Sequence, residues 1–243
     1  MSYETNPLII ALDVASADEA LQLVKEIGPA AEFYKVGMEL YAAAGMDVVR
    51  RLGDSGRKVF LDLKLYDIGE TVKRATGQIL KNEAIQFLTV HGSRSVMQAA
   101  VEGKGESRAK LLAVTVLTSF DADDLADLGY RTPVSELVEL RVRKAAESGI
   151  DGIVCSPLEV QRVREIGGSK MTLVTPGVRS VGAATGDQKR VATPAEALAN
   201  GADYLVIGRQ VTRAADPRWA CEEILAEIAE SRAELRDRIA VPR

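Results

Sequence analysis

The chain is poor in the residues that usually betray a metal or nucleophile site. It has one histidine, His91, and two cysteines, Cys155 and Cys221, set too far apart for a metal or redox motif. A lone histidine makes no metal cluster and no visible triad, and two scattered thiols fit a reducing compartment. Positive charge is also scarce, since 31 Lys and Arg against 35 Asp and Glu leave a net charge of −4. No basic field is present to attract nucleic acid or an anionic membrane. No apolar run approaches the ~20 residues of a membrane span. The opening stretch MSYETNPLIIALDV has neither the basic start nor the cleavage site of a secretory signal. No GxGxxG follows the first apolar run, where Asp13 stands instead, and no flavin, nicotinamide or pyridoxal phosphate fingerprint is visible. These absences predict a soluble cytoplasmic protein without nucleic-acid or membrane partners, whose chemistry comes from charged side chains.

What is present is a regular alternation. Short apolar runs at Leu8 to Val14, Phe33 to Val36, Val59 to Leu65, Phe87 to His91, Leu111 to Leu117, Gly152 to Cys155, Leu173 to Thr175 and Tyr204 to Ile207 are separated by helical patterns. Ser/Thr-x-x-Glu capping boxes open three of the helices, Ser16 to Glu19, Ser156 to Glu159 and Thr193 to Glu196, the last two with proline at the first helical position. Eight strands and eight helices over 243 residues predict one (β/α)8 TIM barrel domain spanning residues 1–243, with a charged tail from about Ala229. A doubly wound open sheet is the alternative fold.

The stretch KVFLDLKLYDIGET, Lys58 to Thr71, is the anomaly. Its period of two puts Asp62 and Lys64 on one face of a strongly apolar strand and the leucines on the other. Buried charges need partners or a task, whereas the solvated face of an edge strand needs neither. In a barrel the active site lies at the C-terminal strand ends. Asp13 ends the first strand, Lys35 lies in the second, Asp62 and Lys64 end the third with Asp67 just beyond, and Thr118 and Ser119 close the fifth. Taken singly, a carboxylate there can cap a helix and a lysine can reach outward to water. Together, alternating signs let each charge keep its neighbours ionised. Late in the chain a long glycine-punctuated connection, Thr175 to Ala192, carries Arg179 and Gln188, and the eighth strand ends in Gly208 and Arg209, where barrels place phosphate groups. His91, at the end of the fourth strand, is expected to be packed and hydrogen-bonded at the rim.

The DxKxxD motif of Asp62, Lys64 and Asp67 occurs with ALD at 11–13, KVGMEL at 35–40, LTS at 117–119, TPGVR at 175–179, DQKRVATP at 187–194 and VIGR at 206–209. In this set, from about Leu8 to Pro217, the chain closely resembles the bacterial orotidine 5′-monophosphate decarboxylases. The resemblance implies cofactor-free loss of CO2 from orotidine 5′-monophosphate to give UMP. It implies a charged tetrad of Lys35, Asp62, Lys64 and Asp67, with Asp67 and Thr71 donated across a homodimer interface and Lys64 protonating C6. Asp13 would bind ribose hydroxyls, Thr118 and Ser119 the nucleotide and ring, and Arg179, Gln188, Gly208 and Arg209 the phosphate. DxKxxD alone is shared with 3-hexulose-6-phosphate synthase, a magnesium-dependent aldolase; TPGVR and DQKRVATP separate the two. A non-catalytic nucleotide-binding barrel is the third reading. Where bacterial members usually read DLKLHDIP, this chain has Tyr66 for the histidine and Gly69 for the proline.

Overall fold

A computed structural model describes residues 6–180 and 192–240. Eight parallel strands close into a barrel in sequence order: β1 (Leu8–Ala11), β2 (Phe33–Val36), β3 (Lys58–Leu65), β4 (Ile85–His91), β5 (Lys110–Val114), β6 (Gly152–Val154), β7 (Thr172–Thr175) and β8 (Tyr204–Ile207). Closure comes from β1 pairing with β8, Leu8 opposite Leu205 through Ile10 opposite Ile207. A closed barrel has no topological switch point, which removes the open-sheet alternative.

The helices α1 (Ala17–Ile27), α2 (Met38–Asp54), α3 (Gly69–Ile79), α4 (Arg94–Lys104), α5 (Ala122–Asp127), α6 (Val134–Glu147), α7 (Val160–Gly167), α8 (Pro194–Ala199), α9 (Arg209–Thr212) and α10 (Pro217–Ala240) cover the barrel. Among the described residues strict alternation therefore breaks twice, with two helices between β5 and β6 and two after β8. The capping boxes fared unevenly. At α8, Thr193 and Glu196 make both reciprocal bonds, and at α1 the Ser16 side chain accepts the Glu19 N–H. At Ser156 the expected helix start is displaced: α7 begins at Val160, and only the return half survives, Ser156 N–H donating to the Glu159 carboxylate at 3.3 Å. An unforeseen box, Asp121 with Asp124, opens α5.

Strand period places successive residues on opposite faces, and two cores result. Ile9, Ala11, Phe33, Phe60, Phe87, Leu112, Val114, Val154, Val174 and Val206 fill the barrel. Their neighbours, among them Leu8, Ile10, Tyr34, Leu61 and Leu88, pack outward under the helices. The aromatic members sit low: Phe33 and Phe87 lie 4.9 Å apart between ring centroids, and Tyr204 approaches Phe87 edge-on at 5.2 Å. Two residues further up the same rows stand Lys35 after Phe33, Asp62 after Phe60 and Thr89 after Phe87. The geometry that builds an aromatic floor thus delivers a polar layer to the C-terminal rim.

Candidate active site

Asp62 is the centre of that layer. Its side chain is 14% exposed, and Lys64 Nζ donates to both of its oxygens, at 2.9 and 3.0 Å. Lys35 Nζ lies 3.7 Å from the Asp62 carboxylate and donates to Asp13 Oδ1 at 2.9 Å. Thr89 Oγ1 donates to Asp62 at 2.9 Å, and the same hydroxyl accepts the Lys64 backbone N–H at 2.9 Å. Asp13, Lys35, Asp62 and Lys64 thus lie together at the rim.

Burial by itself would raise the Asp62 carboxyl, and it is the largest single influence. The Lys35 and Lys64 ammonium groups, with hydrogen bonds from Lys64 and Thr89, outweigh it together and hold the group below its ordinary range. A buried carboxylate between two ammonium ions stays charged because no member of the set could be removed alone without stranding the others.

The strand itself is distorted to achieve this. Lys64 has φ +50°, the one non-glycine residue at positive φ among those described. A left-handed residue of this kind costs about 1–3 kcal/mol and recurs at functional sites. Pairing with β4 shifts across it, Leu61 facing Leu88 but Leu65 facing Val90. Four residues of β3 thus span two of β4, and the simple alternation read from sequence fails at the residue that carries the ammonium. Gly37 completes the cluster by absence: a Cβ there would lie 2.8 Å from Lys35 Nζ and 3.2 Å from Asp13 Oδ1.

The other expected members lie outside this cluster. Asp67 does not join the cluster of its own chain; it is exposed and accepts the Ile68 N–H at 2.6 Å, and Thr71 is exposed on the first turn of α3. Thr118 and Ser119 do not close β5, which ends at Val114; they occupy the turn between Leu117 and Phe120, closed by the Phe120 N–H donating to the Leu117 carbonyl at 2.9 Å. Arg141 holds the Thr115 carbonyl and Tyr130 Oη, bracing the chain between the strand and α6.

At the far side of the rim, β7 ends at Thr175 and β8 at Ile207, followed by Gly208 and Arg209 at the start of α9. Burial, followed by the positive charge of Arg209, pulls the Arg179 pKa down. Two guanidinium groups sharing one region form a site that gains by binding an anion. The flanks of the long connection meet, the Arg179 N–H donating to the Ala192 carbonyl at 3.0 Å, and Gln210 fastens Ser180 by its backbone and its hydroxyl. Gln188 lies outside the described residues.

His91 is half-buried at the end of β4, but its Nδ1 has no hydrogen-bond partner, contrary to expectation. Its ring stacks instead on Tyr66, 4.2 Å between centroids with 32° between planes. Thr89, Gly37, Gln210 and the Tyr66–His91 pair all went unpredicted. Of these, Thr89 had a visible signal: a hydroxyl two positions above Phe87 in an apolar strand, in line with Asp62 after Phe60. Among the described residues no group of three or more His, Cys, Asp and Glu is arranged to hold a metal ion.

Residues 6–224 match the model of the orotidine 5′-phosphate decarboxylase / HUMPS family. An orotidine 5′-phosphate decarboxylase of Rhodopseudomonas palustris is 53% identical over 224 residues, covering 92% of this chain and 95% of its own. One from Bradyrhizobium diazoefficiens is 51% identical over 92% of this chain and 94% of its own. The crystal structure of an orotidine 5′-phosphate decarboxylase from Lactobacillus acidophilus superposes with a TM-score of 0.81 at 38% identity, covering 92% of this chain and 99% of that one.

Proposed function

The chain belongs to the orotidine 5′-phosphate decarboxylase / HUMPS family and decarboxylates orotidine 5′-monophosphate in pyrimidine biosynthesis; we propose that the rim cluster around Asp62 performs this reaction, with Lys64 as the proton donor. The observation that carries the proposal is the Lys64 ammonium held by two hydrogen bonds to a buried carboxylate at the C-terminal end of β3.

As the bond between C6 and the carboxylate breaks, its electron pair stays on C6 and CO2 departs. A Lys64 N–H proton then passes to C6, leaving a neutral amine and UMP. A fixed ammonium in a water-poor site stabilises the developing charge with little reorganisation. Asp62 orients that ammonium, and Thr89 orients Asp62. Lys35 compensates the carboxylate and fixes Asp13, which stands 55% exposed at the mouth, suited to accepting ribose hydroxyls. Thr118 and Ser119 contact the nucleotide and ring. Arg179, Gln188, Gly208 and Arg209 take the phosphate, whose binding energy is available to organise the distant charges. The reaction draws on no metal and no organic cofactor.

We further propose a homodimer in which Asp67 and Thr71 complete the partner's site. Supporting this, Asp67 stands apart from its own cluster, and two large apolar side chains beside it, Tyr66 and Ile68, are 69% and 72% exposed. We also propose that the protein works in the cytoplasm, a reducing compartment that suits its free thiols Cys155 and Cys221.

Incubation with orotidine 5′-monophosphate in EDTA, followed by the loss of orotate-ring absorbance, is expected to show full turnover. UMP binding without turnover would contradict the assignment in favour of a non-catalytic barrel. Magnesium-dependent condensation of formaldehyde with ribulose 5-phosphate, without decarboxylation, would favour the aldolase. Sedimentation is expected to give a dimer, and a monomer at catalytic concentrations would remove the shared Asp67.

A further inference from the structure

Between Lys64 and Asp67 the chain must solve a local problem. Lys64 is held at φ +50°, Leu65 returns to pair with Val90, and by Ile68 the backbone has turned to open α3. Nothing at Gly69 imposes this path: its φ is not positive, and a Cβ there would only touch Ala99 at 3.6 Å. Glycine therefore adds freedom to the turn without being needed for it.

The Tyr66 side chain has its partner on the neighbouring strand, β4. It is 69% exposed, yet its ring lies on the imidazole of His91. His91 in turn ends β4 and is half-buried, and burial, with the neighbouring Arg141 guanidinium, lowers its pKa. Arg141 is itself fastened to the Thr115 carbonyl and to Tyr130, over whose ring it sits at 5.5 Å. The stack therefore engages the chain two residues after Lys64 and one before Asp67.

We propose that Tyr66 is a positioning residue: stacked on His91, it holds the segment from Lys64, at its left-handed φ, to Asp67, so that the ammonium and the carboxylate are presented in reacting geometry. The effect is expected on kcat rather than on binding, because the phosphate site on β7 and β8 lies elsewhere on the rim. The inference rests on Lys64 as proton donor.

The dimeric enzyme tests it. Because His91 is the only histidine, its ring-proton resonances report the stack directly. Tyr66→Ala is expected to lower kcat by about tenfold or more, to leave UMP affinity within about twofold, and to move the His91 resonances out of their ring-current shift. Tyr66→Phe, which keeps the ring, should retain both activity and shift. Gly69→Pro should recover much of the loss in the Tyr66→Ala background: position 69 opens α3, where proline is favoured, and Ile68 already has the φ −60° and ψ 146° of a residue preceding proline. Wild-type kcat in a Tyr66→Ala protein whose His91 shift is lost overturns the proposal. So does Tyr66→Phe falling as far as Tyr66→Ala, a failure of Gly69→Pro to restore activity, or a loss that tracks dimer dissociation and is reversed at higher protein concentration. Lys64→Ala is assayed alongside. Turnover that survives it refutes the proton-donor reading, whereas turnover lost there but unchanged in Tyr66→Ala refutes only the positioning role.

Discussion

At the floor of the barrel Lys58 pairs with Glu32 at 2.6 Å, both side chains being about half exposed, at 45% and 51%. At the rim Lys64 pairs with Asp62 at 2.9 Å, and there the carboxylate is 14% exposed, with a second ammonium and a threonine hydroxyl on it. The floor also has openings: cavities of about 430 Å³ beside Arg50, Arg57 and Asn82, and of about 140 Å³ beneath Phe33, Phe87 and Tyr204. Empty space and surface charge are thus present at the end without chemistry. What distinguishes the rim is one carboxylate buried between two ammonium groups and held beside a strained backbone. The first kind of pair is worth little to stability because water screens it. The second is costly to assemble and costly to break, which is the signature of a site retained for function.

Substitutions can widen or close that contrast. Lys64→Ala should have the largest effect, a loss of at least about 10³-fold in kcat, or ~4 kcal/mol, with UMP still bound, since it removes both proton and compensating charge. Substantial residual turnover would place the rim on the floor's footing. Phe87→Ala, in the aromatic floor, should cost about 3–5 kcal/mol in urea unfolding while the folded fraction keeps its kcat; a selective kcat loss would show the floor to be part of the site. Arg209→Ala is expected to weaken transition-state binding by about 2–4 kcal/mol. An equal loss with a substrate lacking phosphate would remove its assignment. Smallest is Lys58→Ala, expected to change stability by less than about 1 kcal/mol and turnover not at all.

The barrel was legible because its signal is redundant: eight short apolar runs between helical patterns give one topology even when β1 and β5 end three residues earlier than the sequence suggests. Asp13, Lys35, Asp62 and Lys64 were legible for a related reason. Residue types that are expensive to bury recur at one end of successive strands, and period two then carries them inward. What sequence could not give is where that period fails. Lys64 at positive φ and the shifted pairing of β3 with β4 depend on neighbouring strands, as does Thr89, whose hydroxyl has meaning only beside Asp62. Ser156 shows the same limit on a helix: its motif was present, but the chain makes a further turn before α7 begins. Asp67 illustrates another: strand period does not bring it to the cluster, and its role toward a second copy of the chain was implied by the DxKxxD resemblance alone.

The state of Asp62 is where the two ends differ most in consequence. Its folded pKa is depressed below 3.8, so the stability it contributes is present above that value and is lost as pH falls through the folded pKa. The direct test is a carboxyl-carbon NMR titration of Asp62, assigned by comparison with Asp62→Asn. The carboxylate is expected to remain ionised as pH falls through 3.8, and to titrate higher once Lys64 is replaced by alanine. A midpoint at or above 3.8 in the wild-type protein would mean that burial outweighs the two ammonium groups, and would contradict the claim that compensated buried charge defines the site.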